Sequence, residues 1–218
     1  MFRSLTRQKP RVIMLACLSA SLLLSGCGGL LQSDRPGKQV FLLQPLSSDS
    51  TILQESTDPL PLDISFQVVP GLDTDRVLVL GEDASLMPIA SAVWADNLPE
   101  VMTSIVRRSL TLSGKYAPAF DERNQFRIKS RLQLELQAFY AKRYGTNEPN
   151  RVEISIEGRL NCAGKQHSLL LVNNEAISGS GLAQIVAAHQ RALDKTMTEL
   201  LQALDTHCIL PESPVTQG

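Results

Sequence analysis

His167, His189 and His207 are the residues best suited to acid–base or metal chemistry in this chain of 218 residues. None forms an H-x-H or H-x-x-x-H pair, and no carboxylate cluster accompanies them. A zinc site needs three or four ligands, so His207 beside Cys208 does not make one. His189 falls on an apolar helical stripe and reads as a packed core residue. Ser178-Gly179-Ser180-Gly181 precedes a helix. It is not G-x-S-x-G, so no nucleophile elbow is present. It also lacks the lysine and spacing of a phosphate loop. A phosphate cradle at the helix start is the sharper reading. A plain N-cap on Ser180 or Ser178 is the simpler one. No catalytic residue, metal site or cofactor fingerprint is assigned. Arg127, Lys129 and Arg131 share one strand face and suit lipid headgroups or an acidic partner. Cross-strand pairing with Glu153 or Glu157 is the reading ranked ahead of it.

The remaining chemistry belongs to cysteine. Leu22-Leu23-Leu24-Ser25-Gly26-Cys27 closes a leader with Arg3, Arg7, Lys9 and Arg11 followed by the apolar stretch Val12–Ser25. Basic, apolar and small-residue regions in that order make a secretory signal. The apolar stretch is too short to stay as a spanning anchor. Leu-Ser-Gly-Cys resembles the bacterial lipobox, in which the cysteine thiol takes a diacylglycerol and becomes the new N-terminus. Each buried CH₂ contributes about 0.8 kcal/mol, so several acyl chains anchor stably where one is marginal. Residue 28 is Gly and not the Asp that retains lipoproteins in the inner membrane, which directs the expectation to the outer membrane. Cys17 would leave with the leader. Cys162 and Cys208 would then lie in an oxidising compartment and read as a disulfide, with two buried free thiols as the alternative.

The elements follow from periodicity. Gln39–Gln44 is a short strand ended by Pro45, and Ser47–Pro61 is a loop. Leu62–Val69 alternates cleanly, Arg76–Leu80 is an apolar run, and Ser85–Ala92 is a returning strand. Asp96–Ser113 is an amphipathic helix with Asn97 as N-cap, Pro99 in its first turn and Glu100 closing a capping box. Its stripe is Leu98, Val101, Met102, Ile105, Ser109 and Leu112. Tyr116–Phe120 is a short strand. Gln125–Tyr140 alternates strongly, with Leu132, Leu134, Leu136 and Ala138 on one side. A turn at Tyr144–Asn150 leads into Val152–Leu160, making a long antiparallel hairpin. Gln166–Val172 adds a strand. The last helix presents Leu182, Ile185, Val186, His189, Leu193, Met197, Leu200, Leu201 and Leu204.

Net charge is −1, with 21 basic against 22 acidic residues. No basic block survives removal of the leader, which excludes nucleic acid as an expected partner. The organisation expected is a signal peptide at 1–26, a lipidated tether at 27–38, one domain at 39–210 and a flexible tail at 211–218. The fold class is α+β: a two-layer sandwich, its mostly antiparallel sheet covered on one face by two amphipathic helices.

Trp94-Ala95-Asp96-Asn97-Leu98, followed by Val106-Arg107-Arg108-Ser109-Leu110, resembles the ABC-type transport auxiliary lipoproteins. That group includes the lipoprotein of the paraquat-inducible intermembrane transport system. Its Trp-Ala-x-x-Leu pattern heads the first helix. Phe41-Leu42-Leu43, with Phe in place of the common Tyr, Val69-Pro70-Gly71-Leu72-Asp73-Thr74-Asp75-Arg76, Gly181 and Ala188-His189 agree with it in order. The resemblance implies a non-enzymatic, outer-membrane-anchored component facing the periplasm. It would act on a periplasmic MCE-domain protein and its ABC permease and ATPase in phospholipid transport. It supplies no catalytic residue. Trp94 is its partner-contact candidate, with packing as the other reading. The sheet's polar face also suits contacts with further copies of the chain. Two readings stand beside it: a structural or assembly lipoprotein of another envelope complex, and a periplasmic enzyme without a recognisable motif.

Overall fold

The computed structural model describes residues 37–46, 58–119, 130–145 and 148–208. In chain order these form β1 (Gln39–Phe41), β2 (Leu60–Val68), a 3-10 turn at Pro70–Leu72, β3 (Arg76–Leu80) and β4 (Leu86–Trp94). Then come α1 (Leu98–Leu112), β5 (Tyr116–Ala119), β6 (Ser130–Lys142), β7 (Arg151–Cys162), β8 (Lys165–Ala176) and α2 (Leu182–Cys208). The strands join into one eight-stranded sheet.

The alternation of β6 makes it the spine. Leu132, Leu134 and Leu136 are buried while Arg131, Gln133 and Glu135 are exposed. One edge of β6 pairs antiparallel with β7 from Arg131↔Asn161 to Lys142↔Arg151. The other edge serves two strands in succession. β2 lies parallel along the first half (Leu62↔Ser130 to Val68↔Leu136), and β3 parallel along the end (Val79↔Ala141, Leu80↔Lys142). The register shifts between Leu136 and Ala138, where β2 has ended and β3 has yet to begin. A bulge inserts a residue and turns the following side chains over. Phe139 and Ala141 therefore point inward past it. Simple alternation through Tyr140 does not anticipate this.

The α+β class, with two helices against one sheet, is as the sequence indicates. The two longest ladders, β6–β7 and β7–β8, are antiparallel. The sheet is nevertheless mixed, because β1–β4, β2–β5, β2–β6 and β3–β6 are parallel. Parallel pairing joins strands distant in sequence, which local alternation does not reveal.

Both helices differ in detail from their expected stripes. α1 buries Leu98, Met102, Ile105, Val106, Ser109 and Leu110, while Leu112 is 37 % exposed. The buried arc is rotated because α1 packs against α2 as well as β2 and β5. Asn97 is the N-cap residue, but its side chain makes no cap hydrogen bond. Its N–H instead donates to Asp96 Oδ1 at 2.8 Å, and Leu98 N–H donates to Thr74 O at 3.1 Å. The capping box is thus replaced by a tertiary bond. α2 begins directly after Gly181, whose carbonyl accepts from Ile185 N–H at 3.3 Å. With φ at 103°, this position favours glycine over the expected Ser180 or Ser178. Ala188, Ala192 and Thr196 are buried along α2 beside the expected large residues. Their small size lets the helix lie close on the sheet.

At the centre, Trp94, Phe139 and His189 pack edge-on and tilted, with ring centroids 5.1–5.6 Å apart. His189 Nδ1 lies 2.9 Å from Ile185 O, which fixes it as the donor, and Nε2 is buried with no partner among the described residues. Burial pushes the imidazole pKa down to about 4 from 6.5. The sheet is also tied to the end of α2 by a Cys162–Cys208 disulfide, with Cα atoms 5.2 Å apart.

Two outcomes follow. Below pH 6.5 the unfolded chain binds a proton at His189 that the native state refuses, so stability falls on acidification. Between about pH 7.5 and about pH 5 this contributes a loss of about 2 kcal/mol. Urea midpoints at those two values should converge in His189→Met, and an undiminished difference would exclude His189 as the cause. Reduction of the disulfide frees a loop of 46 residues. The chain-entropy cost is about 4 kcal/mol, or on the order of 10 °C in melting temperature. Calorimetry with and without reductant, and of Cys162→Ser paired with Cys208→Ser, measures it.

Candidate functional site

The helices cover one face of the sheet, and among the described residues no element covers the other. Strand registers arrange the open face in rows: Asp63–Arg131–Asn161–Gln166, Ser65–Gln133–Arg159–Ser168 and Gln67–Glu135–Glu157–Leu170. The period of two along each strand produces these rows, since every second residue must avoid the core. Arg131 Nε donates to Asp63 Oδ2 at 2.7 Å, with the arginine half exposed. Glu135 and Glu157 face each other directly, a like-charge pair that costs stability on a sheet. Gln137 Nε2 donates to Glu135 Oε2 at 2.9 Å. Nearer the Lys142 end, Tyr140 OH and Lys142 Nζ both donate to Glu153, at 3.1 and 3.4 Å. Burial, with Glu153 beside it, pushes the Tyr140 phenol up to about 12, so it stays neutral and donating. A shallow groove of about 460 Å³ crosses β2, β6, β7 and β8 between Gln67, Gln133, Arg159 and Ser168. On the outermost strand, Leu170 is 68 % and Val172 48 % exposed.

This surface holds alternating donors, acceptors and charges and is suited to recognition. Among the described residues no group of three or more His, Cys, Asp or Glu is placed to hold a metal ion. His167 and His207 do meet, stacked with centroids 3.9 Å apart near the disulfide.

Of the residues singled out in the sequence, Cys27, Arg127 and Lys129 lie outside the described residues. Arg131 is on the open face, and its ion-pair partner is Asp63. Glu153 and Glu157 were the expected partners. Glu153 pairs with Lys142, and Glu157 sits opposite Glu135. The correction has a topological cause, since the parallel neighbour β2 brings Asp63 level with Arg131. Trp94 is 2 % exposed and packs on Phe139 and His189. It is a core residue and is corrected from a partner contact. Its motif heads α1 because Trp94 ends β4 as the chain turns into the helix.

Sequence reasoning missed the polar ties beneath the helices. Asn173, 8 % exposed, donates from Nδ2 to Thr196 Oγ1 at 3.2 Å and Glu199 Oε2 at 3.0 Å. Tyr116 OH donates to Asp205 Oδ1 at 2.6 Å. Burial, aided by Asp205, raises the Tyr116 pKa. An Asn at an inward position of a strand was the available signal for the first of these. A Tyr opening a four-residue strand gave none for the second.

The chain matches the sequence profile described as ABC-type transport auxiliary lipoprotein component over residues 48–200. No curated protein matches it. Among solved structures it is similar to a Xanthomonas campestris protein of the DUF330 family. Identity there is 18 %, with 76 % of this chain and 94 % of that one covered and a TM-score of 0.60. A second structure, of an uncharacterized protein, gives 16 % identity, 78 % and 99 % coverage and a TM-score of 0.60. At these identities the structures establish a shared fold. No described helix is long and apolar enough to cross a membrane. By its profile match, this chain belongs to the family of ABC-type transport auxiliary lipoproteins.

Proposed function

We propose that this chain is the outer-membrane auxiliary lipoprotein of an MCE-type ABC system that moves phospholipid between membranes. Lipid on Cys27 holds it, and the open sheet face docks a periplasmic MCE-domain protein. Family membership supports the association with ABC transport. The leader and Leu-Ser-Gly-Cys27 support export and acylation. Gly28 supports the outer membrane as destination. The observation that carries the docking role is the one-sided coverage of the sheet. Both helices lie on the inner side, so among the described residues a broad polar face is left without an internal partner.

In this role the domain breaks no covalent bond. It contributes position and complementarity, and ATP-driven work belongs to the permease and ATPase. Arg131 and Arg159 offer bidentate donors to acidic groups, and Glu135 and Glu157 accept from basic ones. The Glu135–Glu157 repulsion would ease when a partner cation arrives between them. Arg127 and Lys129 extend the same basic series toward the start of β6 in sequence.

Two experiments test this. Arg131→Gln with Arg159→Gln should change folding stability by about 1 kcal/mol or less, since both residues are solvent-facing and only the surface pair of Arg131 with Asp63 is lost. The pair should nevertheless lower recovery of the MCE partner in native crosslinking at least tenfold. Undiminished recovery would remove the open face from the interface, and capture of a different envelope complex would favour the assembly role. Cys27→Ala should release a folded, non-functional domain into the soluble periplasmic fraction. Normal transport by that soluble form would refute the anchoring role.

A further inference from the structure

Among the described residues, β1, β5 and β8 each have a strand neighbour on one side only. Such an edge offers unpaired backbone groups, and proteins usually blunt it by shortness, proline or a bulge. β1 has 3 residues, and β5 has 4 with Pro118 among them. β8 has 12 residues, no proline and no shift of register along β7. Leu170 and Val172, both well exposed, sit in its middle. Val40 and Leu42 at β1 are as exposed but have no edge of comparable length.

The backbone phase of this edge is fixed by its last bond. Ile177 N–H donates to Asn150 O at 2.9 Å, and these two residues continue the register that pairs Ala176 with Arg151. In an antiparallel ladder, bonded pairs alternate with non-bonded ones. His167, Leu169, Leu171, Asn173 and Glu175 therefore turn N–H and C=O toward β7. Gln166, Ser168, Leu170, Val172 and Asn174 turn theirs to the outer edge, and all of these are exposed. The order of side chains along the edge is also self-complementary. Set antiparallel to itself about Leu170, β8 opposes Leu170 to Leu170, Leu169 to Leu171, His167 to Asn173, Gln166 to Asn174 and Lys165 to Glu175. Apolar meets apolar, amide meets amide and cation meets carboxylate; the one unlike pair is Ser168 with Val172. A slip of two residues sets Leu169 against Asn173 in one direction and His167 against Leu171 in the other.

We propose that two copies of this chain join edge to edge through β8, antiparallel, about a twofold axis at Leu170. At each outward pair the two residues exchange both N–H···O bonds. Leu170 and Val172 of both copies form one apolar stripe across the junction, because Val172 lies diagonal to the other copy's Leu170. The same surface serves on both sides, so the contact closes at two copies. Opposed residues share a face, which puts the helices of both copies on one side of the joined sheet and both open faces on the other. The pairing needs neither the lipid on Cys27 nor an MCE partner.

Sedimentation of the full-length lipidated protein in detergent, at high micromolar concentration, should give the protein mass of two chains. Leu170→Lys with Val172→Lys removes the apolar stripe and sets lysine against lysine at the axis. It should weaken association at least tenfold while the circular dichroism and melting temperature of the diluted single chain stay unchanged. Val40→Lys with Leu42→Lys, at the β1 edge, should leave the mass at two chains. With the Cys162–Cys208 disulfide intact, mild oxidation of Leu170→Cys should link two chains, since opposed Cα atoms in a bonded pair are about 5.5 Å apart. Ser168→Cys should not link, because its counterpart lies four residues along the other strand, about 14 Å away. A mass of one chain, or of more than two, would overturn the pairing. So would a dimer that survives the lysine pair at β8 or is lost with that at β1. Crosslinking at 168 as fast as at 170 would overturn the axis at Leu170.

Discussion

One strand governs this fold because it has more neighbours than a strand usually does. β6 lies beside β7 along its whole length and beside β2 and then β3 along its other edge. Two parallel partners in tandem cannot be collinear without a gap, since the chain needs the 3-10 turn at Pro70–Leu72 to leave one and reach the other. The bulge after Leu136 falls at that gap and re-aims Phe139 into the core. Phe139 in turn meets Trp94 from the end of β4 and His189 from α2. The aromatic centre of the molecule therefore depends on a register shift in one strand.

Around that centre, the inner layer is closed by long-range polar ties and no described element covers the outer face. Asn173, Tyr116 and Cys162 each bind α2 to a different strand. Glu175 adds Lys195 and Arg191 near the middle of the helix, and the Lys195 hydrogen bond holds its carboxyl below the usual range. These contacts spend the helix's polar groups inward. The open face keeps its Arg, Glu, Gln and Ser residues toward solvent. Burial of one side and recognition on the other are thus assigned to opposite phases of the same strands.

Much of this was legible in the sequence. Alternation in Leu62–Val69, Leu132–Ala138 and Val152–Leu160 marks strands, because a half-buried sheet imposes a period of two. The helical stripe through Ile185, His189, Met197 and Leu204 marks α2 and places His189 in the core. Two cysteines beyond a leader-like N-terminus announce their own pairing. What was not legible is non-local. Asp63 reaches Arg131 only through parallel pairing of strands far apart in sequence. The inward turn of Phe139 depends on β3 following β2, and the burial of Leu110 over Leu112 depends on α2 being alongside. Trp94 stood out as a lone tryptophan at a motif, and its role is structural because both elements it joins pack over it.

The short strand β1 has a mechanical meaning. It is only Gln39–Phe41, yet it lies parallel to β4, and the segment after it is clasped by Gln190, which donates to Gln44 O and accepts from Gln44 N–H at 3.0 and 2.9 Å. Tension from the N-terminus runs along the axis of β1, so its ladder bonds are loaded together in shear and are not peeled one at a time. The Gln44–Gln190 clasp stands in series behind them. A pull on the N-terminal end of the domain would meet this clamp before any other part of the fold.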